Sequence, residues 1–126
     1  MKKILILVMM VVALFGCSSD DSNSSELRIR LSNSSKFNFQ NIKVNTSTGN
    51  VNFENISSGQ NTAYKIFEKA YGYAFVELQI EGKTYRIQPF DYVGETPLKK
   101  GNYTYQITAN DSHEEYGKLS LTLVKN

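Results

Sequence analysis

From residue 26 to the end of the chain, apolar and polar positions alternate with a period of two, the pattern of strands buried on one face. Leu27, Ile29 and Leu31 alternate with Arg28, Arg30 and Ser32, so three aliphatics share one face and two cations the other. Asn33, Ser34 and Ser35 supply a turn. Phe37, Phe39, Ile42 and Val44 mark a second strand whose phase slips at Gln40-Asn41, as at a bulge. Thr46 to Asn50 turns again. Val51 and Phe53 form a short third strand with Ile56 at its end, and Ser57-Ser58-Gly59-Gln60 places a glycine where a turn needs positive φ. Thr62 to Phe67 reads as a fourth strand.

The longest alternation runs from Tyr71 to Ile80. Its even positions, Gly72, Ala74, Val76, Leu78 and Ile80, are expected in the core, and its odd positions are Tyr71, Tyr73, Phe75, Glu77 and Gln79. Glu81-Gly82-Lys83 closes a tight hairpin into Tyr85, Ile87 and Pro89. Proline cannot donate to a ladder, so that strand ends at Pro89 or lies at an edge. A loop from Asp91 to Lys100 precedes a strand carrying Tyr103, Tyr105 and Ile107, and Leu119, Leu121 and Leu123 form the inward face of the last one. Roughly eight short strands, with turn signals about every 8 to 12 residues and neither helical period nor internal repeat, predict an all-β fold: a single antiparallel β-sandwich of about seven or eight strands.

Leu98, Gly101, Tyr103 and Tyr105 resemble the approach to a late strand in immunoglobulin-like, fibronectin-like and transthyretin-like modules. The resemblance implies that Tyr103 turns back to hydrogen-bond the loop before it. The Cys-Trp-Cys core of true immunoglobulin domains is absent, because the chain has no Trp and one Cys.

The first residues follow a different pattern. Lys2 and Lys3 precede an uncharged run from Ile4 to Phe15, which suits the core of an export signal and is shorter than the roughly 20 residues of a spanning helix. Leu14-Phe15-Gly16-Cys17 resembles the processing box of bacterial lipoproteins: a Leu three positions before the Cys, then Phe15, bulkier than usual at its position, then the small Gly16. The resemblance implies diacylglycerol on the sulfur of Cys17, cleavage before it, and several acyl chains that together make a stable anchor. Ser18 to Ser25 contains no apolar residue and is expected to be a hydrated tether on the order of 15 Å in span. Ser18, Ser19, Asp20 and Asp21 resemble the surface-export signal of Bacteroidota lipoproteins, which implies outer-membrane, cell-surface placement. The expected organisation is therefore a signal peptide over 1–16, a lipidated Cys and tether over 17–25, and a sandwich domain over 26–126.

Cleavage removes Lys2 and Lys3 and takes the 14 basic residues to 12, equal to the 12 acidic ones. A neutral domain lacks the basic stripe that nucleic-acid phosphates call for, so no nucleic-acid partner is expected. With Cys17 lipidated, no thiol remains for a disulfide, and stability must come from packing.

Candidate chemistry is sparse. His113, the sole histidine, sits among Asp111, Ser112, Glu114 and Glu115, but neighbours in an extended loop point apart and do not present a nucleophile and base to one atom. Asn110 to Glu115 also lacks the alternating oxygen ligands of a calcium loop, and one histidine without a free thiol is a poor start for zinc. The segment is expected to be a hairpin loop, and neither a metal nor another cofactor is expected. Tyr71, Tyr73 and Phe75 stand out on the odd face of the long strand. If exposed, rings about 7 Å apart make a platform for a sugar ring or a peptide, with Tyr92, Asp91 and Glu95 as a rim. The competing expectation is that Tyr64 and Phe67, or the 91–100 loop, cover them.

These features describe first a lipid-anchored, non-enzymatic binding module contacting glycan, peptide or a partner protein. A second reading is an accessory subunit of an envelope complex that pairs through a sheet edge. A third, an enzyme, requires two carboxylates in one cleft.

Overall fold

The computed structural model describes residues 25–89 and 92–126, so the segment expected to be a signal peptide, Cys17 and the expected tether as far as residue 24 lie outside the described residues, as does Asp91. Eight strands form where alternation predicts them: β1 (Leu27–Asn33), β2 (Gln40–Asn45), β3 (Asn50–Phe53), β4 (Lys65–Phe67), β5 (Phe75–Ile80), β6 (Lys83–Ile87), β7 (Gly101–Ala109) and β8 (Leu119–Lys125). They make two four-stranded sheets, ordered β4-β1-β7-β8 and β3-β2-β5-β6. No helix among the described residues is long and apolar enough to cross a membrane.

The sheets close on one core because each presents its alternate residues inward. Ile29 and Leu31 of β1, with Tyr105 and Ile107 of β7, face Ile42 and Val44 of β2 and Val76 and Leu78 of β5, and all are fully buried. Each large aliphatic so placed contributes about 1.5–3 kcal/mol relative to exposure. Leu119 is buried and Leu121 and Leu123 half-buried against this cluster, the inward face expected of the last strand.

Local chemistry accounts for the turns. The β2–β5 register shifts between Gln40 and Lys43, and Asn41 adopts φ 52°, which Asn tolerates better than most residues. The slip turns both Phe39 and Ile42 inward, as the change of phase requires. Ile80 pairs with Lys83 across Glu81 (φ 51°) and Gly82 (φ 82°), a two-residue turn with both centres left-handed, whose twist matches that of the strands. Strand β6 ends at Ile87, ahead of Pro89, and is an edge strand. Tyr103 Oη donates to the Lys99 carbonyl at 2.8 Å, the turn-back implied by the resemblance of residues 97–107.

Three features differ from expectation. First, β1 and β7 pair in parallel, Leu27 beside Gly101 through Asn33 beside Ile107; every other strand pair is antiparallel. Second, β5 begins at Phe75 rather than Tyr71, and the nine-residue β7 is the longest strand. The carbonyls of residues 69–71 are engaged elsewhere: Lys69 O accepts from Thr46 Oγ1 (2.6 Å), Ala70 O from Leu98 N (2.8 Å) and Tyr71 O from Tyr105 Oη (2.7 Å). This segment crosses from one sheet to the other and cannot also be a rung of either, which leaves Gly72 exposed. Third, the expected Thr62–Phe67 strand is reduced to Lys65–Phe67, because Thr62 Oγ1 accepts from Leu31 N at 2.9 Å and Ala63 N donates to Glu54 Oε2 at 2.8 Å.

Candidate functional site

The outward face of the β3-β2-β5-β6 sheet carries the site. Inward Ile42, Val44, Val76 and Leu78 oblige Lys43, Asn45, Phe75 and Glu77 to point outward. Cross-strand register then sets them in rows. Asn50, Asn45 and Phe75 form one; Asn52, Lys43, Glu77 and Arg86 form the next; Gln79 and Thr84 lie beyond, beside the bulged Asn41.

Two contiguous depressions follow these rows. One, of about 490 Å³, lies among Asn45, Asn50, Phe75, Gln88, Pro89 and Tyr92; the other, of about 580 Å³, among Asn41, Asn52, Glu54 and Asn55. Lys43 and Glu77 line both, so the two adjoin along this face and are together termed the groove. Its central charges are paired: Arg86 Nε, beside the groove, bonds Glu77 Oε1 at 3.0 Å, Lys43 Nζ stands 3.9 Å from Glu77 Oε2, and Arg86 also bridges to Glu115 in the β7–β8 loop, while Glu54 Oε2 accepts from Ala63 N at 2.8 Å. The amides are oriented by one another, Asn45 Nδ2 donating to Asn50 Oδ1 (3.1 Å) and Asn41 Nδ2 to Gln79 Oε1 (2.6 Å).

The aromatic residues expected as a row of three take another arrangement. Tyr92 stacks on Tyr71 (centroids 4.4 Å apart, rings at 11°) and on Tyr73 (5.5 Å, 25°), while its hydroxyl donates to the Asn45 carbonyl at 3.3 Å. Tyr71 is 8% exposed and does not line the groove. Tyr73 is half-buried against Tyr92; Phe75 and Tyr92 are the rings that line the first depression, and the buried Phe53 borders the second. The 91–100 loop, not Tyr64 or Phe67, supplies the cover: Arg30 lies over the Tyr64 ring on the other sheet, and Phe67 is buried against Phe53. Glu95 is exposed in that loop and does not line the groove.

Burial pushes the Tyr105 phenol far above its ordinary value, and burial is also the main cause raising Tyr92. The unfolded chain releases these protons near pH ~10 and the folded one holds them. The stability they contribute is therefore complete below about pH 10 and is lost as the pH rises beyond it. In a titration followed by tyrosinate absorbance, Tyr92 and Tyr105 should stay protonated above pH ~10 for as long as the fold persists. Ionisation of all eight tyrosines with a native circular dichroism spectrum would contradict this.

His113 is exposed in the loop joining β7 and β8, where its carbonyl accepts from Lys83 Nζ at 2.6 Å. Among the described residues, no three His, Cys, Asp or Glu side chains converge as a metal-binding group. Lys43, Asn45, Asn50, Asn52 and Gln88 are site residues that the sequence pattern did not single out. Their outward direction is readable from alternation, whereas their convergence depends on strand order. Compared with family models, with curated proteins and with solved structures, the chain gives no match.

Proposed function

We propose that the chain is an outer-membrane, surface-exposed lipoprotein, anchored through Cys17, whose sandwich is a non-enzymatic binding module acting through the groove on the β3-β2-β5-β6 face. The observation that carries this reading is the placement of the Phe75 and Tyr92 rings, paired amides and the Lys43–Glu77 pair on one sheet face, in two adjoining depressions that share Lys43 and Glu77. Of the modules the sequence resembles, the transthyretin-like kind suits it better than the immunoglobulin kind. In the immunoglobulin order the first two strands are neighbours, whereas here β1 and β2 lie in opposite sheets.

An enzymatic reading meets a specific difficulty. Glu54 and Glu77 line one depression, but a hydrolytic pair needs one carboxyl raised to act as an acid. The Ala63 amide donating to Glu54 holds that carboxyl below its usual range, and Glu77 is bridged to Arg86. The accessory-subunit reading is favoured by β8, which pairs with β7 on one side and with no strand on the other among the described residues, over seven residues without Pro or Gly.

Cys17→Ser is expected to turn envelope attachment that withstands washing into attachment that washing removes, with the thermal midpoint unchanged; attachment that still withstands washing would refute the anchor. The washed-off chain is expected to co-sediment again with purified envelope fragments, and the additional change Phe75→Ala to weaken this about tenfold. Undiminished sedimentation by the double variant would point to the β8 edge instead.

A further inference from the structure

We infer that the occupant of the groove is a neutral glycan chain of several sugar units, an assignment that rests on the groove being the binding site proposed above. The argument begins with charge. Lys43 and Glu77, which line both depressions, neutralise one another in a cross-strand relay that continues through Arg86, beside the groove, to Glu115, and Glu54 at the far depression is held by the Ala63 amide. An anionic ligand would have to break this relay to gain a partner, a cationic one would find only Glu54, whose carboxylate the Ala63 amide already holds, and a neutral one leaves all of these contacts intact.

The polar lining has a matching character. Asn41, Asn45, Asn50, Asn52 and Gln88 each offer a donor and an acceptor on a flat amide, which complements the hydroxyl group, itself both donor and acceptor. A peptide backbone recognises a sheet most strongly at an edge, where unpaired N–H and C=O groups extend the ladder. Here the groove lies over the interior strands β2 and β5, whose backbone groups are already paired on both sides. Side chains alone meet the ligand.

Shape completes the case. The two depressions adjoin at Lys43 and Glu77; the half-buried Phe75 stands beside Pro89 and Tyr92 in the first, whereas the apolar residues bordering the second, Ile42 and Phe53, are almost fully buried. A sugar ring has an apolar C–H face and a polar hydroxyl rim. One ring set on Phe75 directs the following units along the amide rows toward Asn52 and Asn55.

Calorimetry of the full chain in detergent micelles tests this against three sets of probes: neutral linear hexasaccharides of β-1,4-glucose, β-1,4-mannose, β-1,4-xylose and α-1,4-glucose; oligogalacturonate and heparin-type oligosaccharides; and unstructured peptides. Binding of at least one neutral hexasaccharide is expected, tighter than its disaccharide and insensitive to salt. Phe75→Ala should weaken it about tenfold. Asn52→Ala, at an exposed position, should weaken it several-fold with the thermal midpoint unchanged, so that a folding defect in the first variant does not decide the outcome. Tighter binding of an anionic oligosaccharide or a peptide, sensitive to Phe75→Ala, would overturn the neutral-glycan assignment and leave the groove as the site. Absence of binding by every neutral hexasaccharide would also overturn it. The groove itself falls only if Phe75→Ala leaves sedimentation with envelope fragments unchanged.

Discussion

Asn33→Ala should lower the unfolding free energy by about 3 kcal/mol, although it deletes a small polar side chain from the end of a strand. Asn33 is fully buried and uses every hydrogen-bonding capacity it has. Its Nδ2 donates to Phe37 O (2.7 Å) and Ile56 O (3.3 Å), and its Oδ1 accepts from Ser35 N (2.9 Å) and Ser35 Oγ (2.6 Å). Its backbone holds the 57–60 turn, N–H to Gln60 O at 2.9 Å and carbonyl from Gly59 N at 2.8 Å. One side chain thus joins the end of β1, the approach to β2 and the segment after β3. Alanine leaves buried carbonyls and an amide without partners, each costing about 1–3 kcal/mol with partial recovery by water. Asn33→Asp, matched in shape but unable to donate when ionised, should be no better. Urea unfolding would register this as a lower midpoint at unchanged slope. A loss under about 0.5 kcal/mol for alanine, typical of a surface site, would mean that the network is not what closes this end.

The second large effect is expected at Lys118, a charged residue only 3% exposed. Its ammonium donates to Asn110 O (2.7 Å) and Ser112 O (2.9 Å) and lies over the rings of Phe37 (4.3 Å from the centroid) and Tyr85 (5.2 Å). Removing an ammonium from water is costly, and the two carbonyls with the two ring faces offset that cost while fixing the β7–β8 loop on the sandwich end. Lys118→Ala removes the packed stem as well as the charge and should cost about 2–4 kcal/mol. Lys118→Met keeps the stem and loses the donors, so about half of that loss should return. Thermal unfolding separates these outcomes, because 1 kcal/mol moves the midpoint of a domain this size by about 4–8 °C. A methionine variant as stable as the parent would show that packing alone accounts for the burial.

Both residues close the end of the sandwich that also holds the Glu81-Gly82 turn. The Tyr71-Tyr92 stack closes the opposite end, where Gly101 N donates to Glu26 O at 3.0 Å. Stability at one end and the groove's apolar end at the other are thus separable by mutation, which allows Phe75→Ala to be read as a binding variant.

The difference between what was legible in the chain and what was not follows from the range of the interactions. The inward face of β1, the phase slip at Gln40-Asn41 and the two-residue turn after Ile80 depend on residues within a few positions of each other, and period and turn chemistry report them directly. Tyr103 was legible for the same reason, since its carbonyl partner lies four residues back. Lys118 was not, because nothing local distinguishes a lysine that finds two carbonyls and two rings from one in solvent. Nor was the start of β5, as the groups that capture the carbonyls of residues 69–71 come from Thr46, Leu98 and Tyr105.

What the amino-acid sequence determined by itself is the set of strands, the faces they bury and the tight turns between them, because each is an outcome of local sterics and of the need to remove alternate apolar residues from water. The proposed address at Leu14 to Cys17 is also read from a short linear motif, and it lies outside the described residues. Tertiary structure alone decided which strands are neighbours. The parallel β1–β7 pair joins segments some seventy residues apart, and the β3-β2-β5-β6 order places Lys43, Asn52, Phe75 and Gln88 on one surface. Alternation tells each strand which way to face but carries no information about the strand beside it. That choice is made by the packing of the whole core, and the groove is its consequence.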